Sequence, residues 1–376
     1  MQIGLYFHIP FCASKCYYCD FLSFAKKEEQ AHYIEALIKE IEKTSEGLPE
    51  DLTIKSIFIG GGTPTVLPPF LLDQLMQAIT SHFKLEPYCE WTIEANPGTI
   101  EEDKLKVLGQ YPITRISLGL QSTHDDLLKR IGRQHTFKDW EESITLIKKY
   151  TNWAINTDLM FALPGQSLED FKQSLEKVAD YHLDHLSVYA LIIEEGTHFG
   201  NLYESGKLQE VPEELDRQMY HLAQAYLKEK GYEQYEISNW CKPGKACQHN
   251  LVYWKCEPYL GLGLGAHSLF GNRRYYNEEK MKLYIENSSD LDRIRNEEEK
   301  LTRKALIEEY IFLGLRLTEG IHLEKFQEKF GESIWEIYPN VLKKWLDLGV
   351  MIQEDNKMYL SSYGLDVCNE VCASFL

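Results

Sequence analysis

No stretch of this sequence is apolar over the roughly 20 residues that a bilayer-spanning helix needs, so none of it reads as a membrane anchor. Basic residues are scarce. Lysine and arginine number 40 against 58 aspartates and glutamates, for a formal net charge of -18. A surface of that sign repels phosphate backbones and no basic stripe offsets it, so nucleic acid is not an expected partner. No lysine or arginine precedes the first apolar stretch, which argues against a secretory leader. Low-complexity tracts and internal repeats are missing. A second C-x2-C pair is missing too, and with it the simplest pattern of a closed four-ligand zinc site. The nine cysteines are odd in number and mostly scattered, which suits a reducing cytoplasm better than a disulfide framework.

What the sequence does have begins at Tyr6-Phe-His-Ile-Pro-Phe-Cys-Ala-Ser-Lys-Cys-Tyr-Tyr-Cys-Asp20. Cys12, Cys16 and Cys19 fall in a C-x3-C-x2-C spacing directly after a β-prone segment that Pro10 ends. Iron–sulfur clusters are held by cysteine thiolates, and three thiolates on a four-iron cluster leave one iron open to a further ligand. This run resembles the cluster loop of the radical S-adenosylmethionine (SAM) superfamily. The wider pattern YFHIPFCxxKCxYCDF is similar to the branch that holds the oxygen-independent coproporphyrinogen III oxidases and the HemW haem chaperones. Three core cysteines clustered by chance is the plain alternative, and the matching flanks argue against it.

Hydrophobic periodicity predicts a helix over 28–44, from the stripe Ile34, Leu37, Ile38 and Ile41, then a strand at 56–59 running into the glycines 60–62. Further helices are expected over 70–83, 101–108, 140–149 and 168–181, with strands at 91–95, 115–121, 154–161 and 185–193 between them. Six strands alternating with helices imply parallel βαβ units. The pattern does not by itself separate a barrel from an open sheet; the resemblance implies a partial (β/α)6 barrel over residues 1–195. Cysteines, glycines, Glu94, Gln121 and Asp158 gather at the C-terminal strand ends, the edge that carries the site in such folds. A helix is expected over 213–230. The rest of 196–286 reads as an irregular extension, 287–300 as a polar linker, and 301–376 as a helical domain with a short hairpin, similar to a winged helix.

Gly60, Gly61 and Gly62 let a ligand approach the backbone closely, and the run lacks the lysine of a phosphate loop. Glu94, Gln121, Arg133 and Asp158 are the residue types that a zwitterionic sulfonium needs: carboxylates for ammonium and ribose, a guanidinium for carboxylate. The resemblance implies that these four, with Tyr6, Tyr18, Gly62, Thr63 and Pro64, contact SAM. His249-Asn-Leu-Val-Tyr-Trp254 reads alone as a structural histidine with two aromatics in a loop. By resemblance HNxxYW is a signature of the HemW branch, associated with haem binding, and it makes His249 the candidate axial ligand. Cys241, Cys247, His249 and Cys256 are spaced too irregularly for a zinc knuckle. Gly261-x-Gly-x-x-Ala266 satisfies a loose dinucleotide fingerprint, but no clear strand precedes it and no helix follows. Cys368 and Cys372 read as structural.

The oxidases of this branch carry a further cysteine two residues after the third, where this chain has Phe21. The resemblance therefore implies a HemW-like haem chaperone holding a [4Fe-4S] cluster, SAM and haem, with a haem-accepting protein as partner. Coproporphyrinogen oxidation is the disfavoured alternative. Productive SAM cleavage, peripheral membrane association and oligomeric state stay open.

Overall fold

A computed structural model describes residues 1–376, apart from the side chains of 297 and 298. Six parallel strands form its centre: β1 (Gln2–Ile9), β2 (Thr53–Gly61), β3 (Leu85–Ala95), β4 (Arg115–Gln121), β5 (Ala154–Phe161) and β6 (His185–Ala190). They pair in chain order, each with the next. Every residue of β4 is buried, as is all of β1 beyond its first residue except the half-buried Tyr6. Strands of a parallel sheet are covered on both faces, which explains their nearly unbroken apolar runs. Between them run helices at Gln30–Glu46, Pro69–His82, Glu102–Leu108, Phe137–Tyr150 and Leu168–Ala179. Two of these begin with reciprocal caps, Thr136 with Asp139 and Ser167 with Asp170, so the chain itself encodes where they start. The first helix buries Tyr33, Ile34, Leu37 and Ile41; Ile38 of the expected stripe is only half-buried.

β1 and β6 do not pair with one another, so the barrel is partial. Its two free edges are instead extended, giving a twelve-stranded sheet. Beside β6 lie β7 (Glu233–Glu236) and β8 (Asn239–Cys241), with β8 antiparallel to β6. Beside β1 lie β9 (Tyr259–Leu262), parallel to it, then antiparallel β10 (His267–Phe270), β11 (Arg273–Asn277) and β12 (Arg295–Lys300). These additions differ from the expected irregular extension and linker. The strands are three to six residues long, too short to carry a long apolar run, and pairing to an existing edge supplies what their sequence does not. β9 also precedes Gly263, so the glycine-rich segment does follow a strand; no helix opens on it.

The C-terminal part packs several helices and a three-stranded sheet, β13 (Ile321–His322), β14 (Met351–Glu354) and β15 (Lys357–Leu360), around its own core of Ile311, Phe326, Leu342, Met358 and Val371. The expected hairpin is the β14–β15 pair. Among the described residues no helix is long and apolar enough to cross a membrane.

Candidate functional site

Side chains alternate along a strand, and one alternate set from each central strand faces the barrel interior. Thr92 and Glu94 come from β3, Ser117, Gly119 and Gln121 from β4, Asn156, Asp158 and Met160 from β5, and Ser187 and Tyr189 from β6. All line one cavity of about 420 Å³, a size typical of small-molecule sites. The cluster loop covers its mouth with Cys12, Cys16, Tyr18 and Cys19, and Gly62, Thr63 and Arg133 complete that end. Ten of the thirteen residues singled out from sequence therefore share a cavity. Tyr6, Pro64 and His249 are not among the residues that line it.

The loop is anchored by backbone bonds: Cys12 N–H to Phe24 O at 3.1 Å, Phe24 N–H to Pro10 O at 2.8 Å, and Tyr17 N–H to Ile131 O at 3.0 Å. His8 ties it to β1, with one ring nitrogen 2.8 Å from Leu22 O and the other 2.9 Å from the Tyr6 hydroxyl. All three thiols are free and half-buried. Burial pushes the Cys12 and Cys19 thiols up, the latter to about 11. Ligation would remove those protons. Among the described residues no group of three His, Cys, Asp or Glu is close enough to hold a single metal ion. A four-iron cube distributes its thiolates over separate irons and needs a wider triangle. The donor set fits such a cluster: three thiols, with the Arg133 guanidinium 3.5 Å from the Cys16 sulfur.

Around the cavity, Glu94 accepts from Gly61 N–H at 2.9 Å. Its carboxyl is pushed up to about 8, first by burial and then by the neighbouring Asp158. Burial also raises Asp158, which accepts from Asn156 Nδ2 at 2.7 Å. Arg133 donates to Gly119 O at 2.7 Å and leaves Nε buried without a hydrogen-bond partner among the described residues. A Cβ on Gly119 would stand 2.6 Å from that guanidinium. Gln121 sits in the left-handed region, φ 75°, where β4 loses register with β5. Such backbone strain in a non-glycine residue is common at binding sites. Gly61 has φ 100°, and a Cβ on Gly62 would stand 2.6 Å from Phe11 O and 2.7 Å from Ile9 O. Only glycine lets the second loop lie this close to the cluster loop.

His249 lies in a helix, Gln248–Trp254, and not in the expected loop. It is 1% exposed. Ser56 Oγ and the Tyr253 hydroxyl occupy its two ring nitrogens at 3.0 and 2.9 Å, and the ring stacks on Phe58. Burial lowers its imidazole to about 3, so it is neutral. In this conformation neither nitrogen is available to a metal. The irregular set Cys241, Cys247, His249 and Cys256 does not converge either; Cys247 bonds to Glu90 instead, at 3.3 Å. Sequence reasoning missed Asn96, Asn156 and Ser187. Counting by twos from Glu94 and Asp158 finds the first two, and counting back from Tyr189 finds the third once β6 is aligned.

A family model described as the radical SAM superfamily matches residues 6–178, and one described as the HemN C-terminal domain matches 301–367. Fold and three-thiol loop together define a radical SAM protein. Among curated proteins, the heme chaperone HemW of Bacillus subtilis is 38% identical over 375 residues, 99% of this chain and 98% of that protein. HemW of Lactococcus lactis is 37% identical over 99% and 96%. The radical S-adenosyl methionine domain-containing protein 1, mitochondrial, of Danio rerio is 31% identical over 89% and 79%. The chain belongs to the HemW family. Escherichia coli coproporphyrinogen III oxidase (HemN), a solved structure, covers the fold from end to end. Its TM-score is 0.85 at 21% identity, over 100% of this chain and 90% of that one.

Proposed function

We propose that this protein binds haem and hands it to a haem-requiring acceptor, and that it carries a [4Fe-4S] cluster on Cys12, Cys16 and Cys19 with SAM beside it. The observation that carries the reading is the similarity to curated HemW chaperones along the whole chain. When bound and reduced, the cluster supplies one electron to the sulfonium. The remaining work falls to side chains. Glu94 and Asp158 would meet ammonium and ribose hydroxyls, and the Arg133 guanidinium the carboxylate. Tyr18, Gln121, Thr63 and the backbone at Gly62 would hold the adenosyl and methionyl parts, with Tyr6 and Pro64 shaping the loops. Cluster and SAM together would fill this cavity of about 420 Å³, which would leave haem to bind outside the barrel interior. Free thiols throughout suit a cytoplasmic setting.

Haem ligation by His249 belongs to this reading as a step that follows displacement of the 248–254 helix. Leaving Ser56 and Tyr253 unpaired costs about 1–3 kcal/mol for each buried group. The test is an anaerobic preparation reconstituted with iron and sulfide, titrated with haem and then mixed with an apo-haemoprotein. Haem uptake with transfer is the expected result. His249→Ala should lose the parental haem spectrum and also melt at lower temperature; an unchanged spectrum would assign the ligand elsewhere. Product from coproporphyrinogen, SAM and reductant, above a Cys16→Ser control, would replace the chaperone reading with an oxidase.

A further inference from the structure

Cys12 differs from the other two cluster cysteines in its surroundings. Cys16 faces the guanidinium of Arg133, and Cys19 faces the backbone N–H of Phe21. Beside Cys12 stand two neutral hydroxyls, from Ser23 and Thr63.

The Thr63 hydroxyl lies 3.6 Å from the Cys12 sulfur, in a residue that is 1% exposed. Its oxygen already accepts from Asn96 Nδ2 at 2.7 Å. A metal-bound thiolate has no proton to give, so a hydroxyl beside it must donate. Asn96 takes one of the two acceptor positions of the Thr63 oxygen and so orients the hydroxyl with its proton towards sulfur. Asn96 is itself fixed, since its backbone N–H and C=O both bond the Thr99 hydroxyl, at 3.3 and 2.7 Å.

Ser23 is 6% exposed; its hydroxyl makes no well-formed hydrogen bond among the described residues, and the group it acts on is the Cys12 sulfur. A buried hydroxyl without a well-formed bond is costly. The Cys12 sulfur stands beside it, and loss of the thiol proton on ligation turns that sulfur into a strong acceptor. Ligation would thus strengthen the contact that this hydroxyl already has with the Cys12 sulfur.

We infer that Ser23, and Asn96 acting through Thr63, direct two hydroxyl protons at the Cys12 sulfur and thereby set how readily the cluster accepts an electron. The inference rests on the cluster reading above. Hydrogen bonds to cluster sulfurs are one of the levers on reduction potential. Each donor stabilises the added negative charge of the reduced state, so removing one makes the cluster harder to reduce. Arg133 is claimed by the SAM carboxylate in the same reading, so these hydroxyls are the side-chain donors that stay with sulfur whether or not SAM is bound.

The experiment is an anaerobic, EPR-monitored redox titration of the reconstituted full-length protein without SAM, with iron content measured alongside. Ser23→Ala and Asn96→Ala should each keep the cluster and shift its midpoint to more negative potential. The expected fall in the reduction equilibrium constant is about three- to tenfold, and tenfold is about 59 mV for a one-electron couple. Ser23→Thr, which keeps a hydroxyl, should titrate like the parent. If the parent takes up no cluster, the cluster reading fails and the inference goes with it. If the parent holds a cluster and both alanine variants hold it at the parental midpoint, the inference alone is overturned. Should Ser23→Ala lose iron, Asn96→Ala decides: a negative shift supports the inference, and a parental midpoint or a second loss of iron overturns it.

Discussion

Glu94 carries the clearest electrostatic signature in the cavity, and its sign can be worked through. An unfolded glutamate titrates near 4.5, whereas burial holds the folded carboxyl up to about 8. Between those values the folded chain keeps a proton that the unfolded chain releases, so stability falls as pH rises through that window. An ammonium ligand has the opposite preference, because it needs the carboxylate. SAM affinity of the cluster-loaded protein should therefore strengthen as pH climbs from about 6 to about 8, and weaken above that as the ligand's own α-ammonium loses its proton. Glu94→Gln should bind SAM more weakly at pH 8 and should flatten the rise. Calorimetric titration across the range checks both, and a parental profile from the glutamine variant would remove Glu94 from the ammonium site. The residue type was legible from sequence, since a carboxylate ending a strand at the C-terminal edge of an α/β barrel is a ligand group until shown otherwise. Its protonation was not legible, because that depends first on its burial in the folded barrel and then on Asp158, which is 64 residues away along the chain and beside it in space.

At the scale of elements, the glycine run and the cluster loop behave as one unit. Gly62 N–H bonds Ile9 O at 2.9 Å and Thr63 N–H bonds Phe11 O at 2.7 Å, so the two loops are laced backbone to backbone. Gly62→Ala places a methyl within 2.8 Å of three backbone atoms of Ile9 and Phe11; no rotamer change relieves that. It should cost roughly 1–3 kcal/mol as overpacking and lower iron loading, because the backbone that must yield is the one carrying Cys12. Gly47 provides the control. Its φ of -91° suits alanine and its nearest neighbour would be 3.7 Å away, so Gly47→Ala should be neutral or stabilising by up to about 1 kcal/mol. Thermal melts and iron analysis of the two variants test the contrast. Equal effects would mean that the loops are not coupled in this way. The same lacing marks how far elements could be read from the chain. β4 and β5 fall on the residues that their apolar runs predict, because strands buried on both faces advertise themselves. β7 to β12 escape, since an edge strand needs only a partner and leaves almost no trace in composition. The helix that carries His249 escapes for a related reason. Its seven residues are too few to show a 3.6-residue period.

Taken whole, the molecule has a barrel core and a separate C-terminal core, and a small polar joint lies between them. Glu236, at the end of β7, is 0% exposed. One of its oxygens accepts from Ser238 N–H and Asn239 Nδ2 at 2.8 and 2.5 Å. The other has no hydrogen bond among the described residues and faces Arg316 of the C-terminal part at 3.9 Å. The Arg316 guanidinium also lies over the Trp254 ring at 4.7 Å. One arginine therefore touches the barrel sheet, the HNxxYW helix and its own domain. Burial already raises the Glu236 carboxyl, and Arg316 is the charge that works against that. Removing one partner of a buried ion pair strands the other, a loss of about 3–5 kcal/mol for a fully buried pair. Arg316 is partly exposed, with a quarter of its side chain accessible, so the loss should lie nearer 2 kcal/mol once solvent screening is counted. Arg316→Ala should raise the Glu236 carboxyl further. The variant's deficit should then grow as pH rises above the ordinary carboxylate value of 4.5, where the unfolded chain ionises and the stranded carboxyl resists. A group whose folded value is raised contributes stability below its unfolded value and loses it as pH climbs through the folded one. Limited proteolysis near residues 301–320 should quicken in the variant, because the C-terminal part loses its polar anchor while both apolar cores stay intact. Restoring Glu236→Gln in the Arg316→Ala background should recover part of the loss at pH 8 and less at pH 6. If the double variant melts like the single one at both values, the joint is apolar and this carboxylate is a bystander.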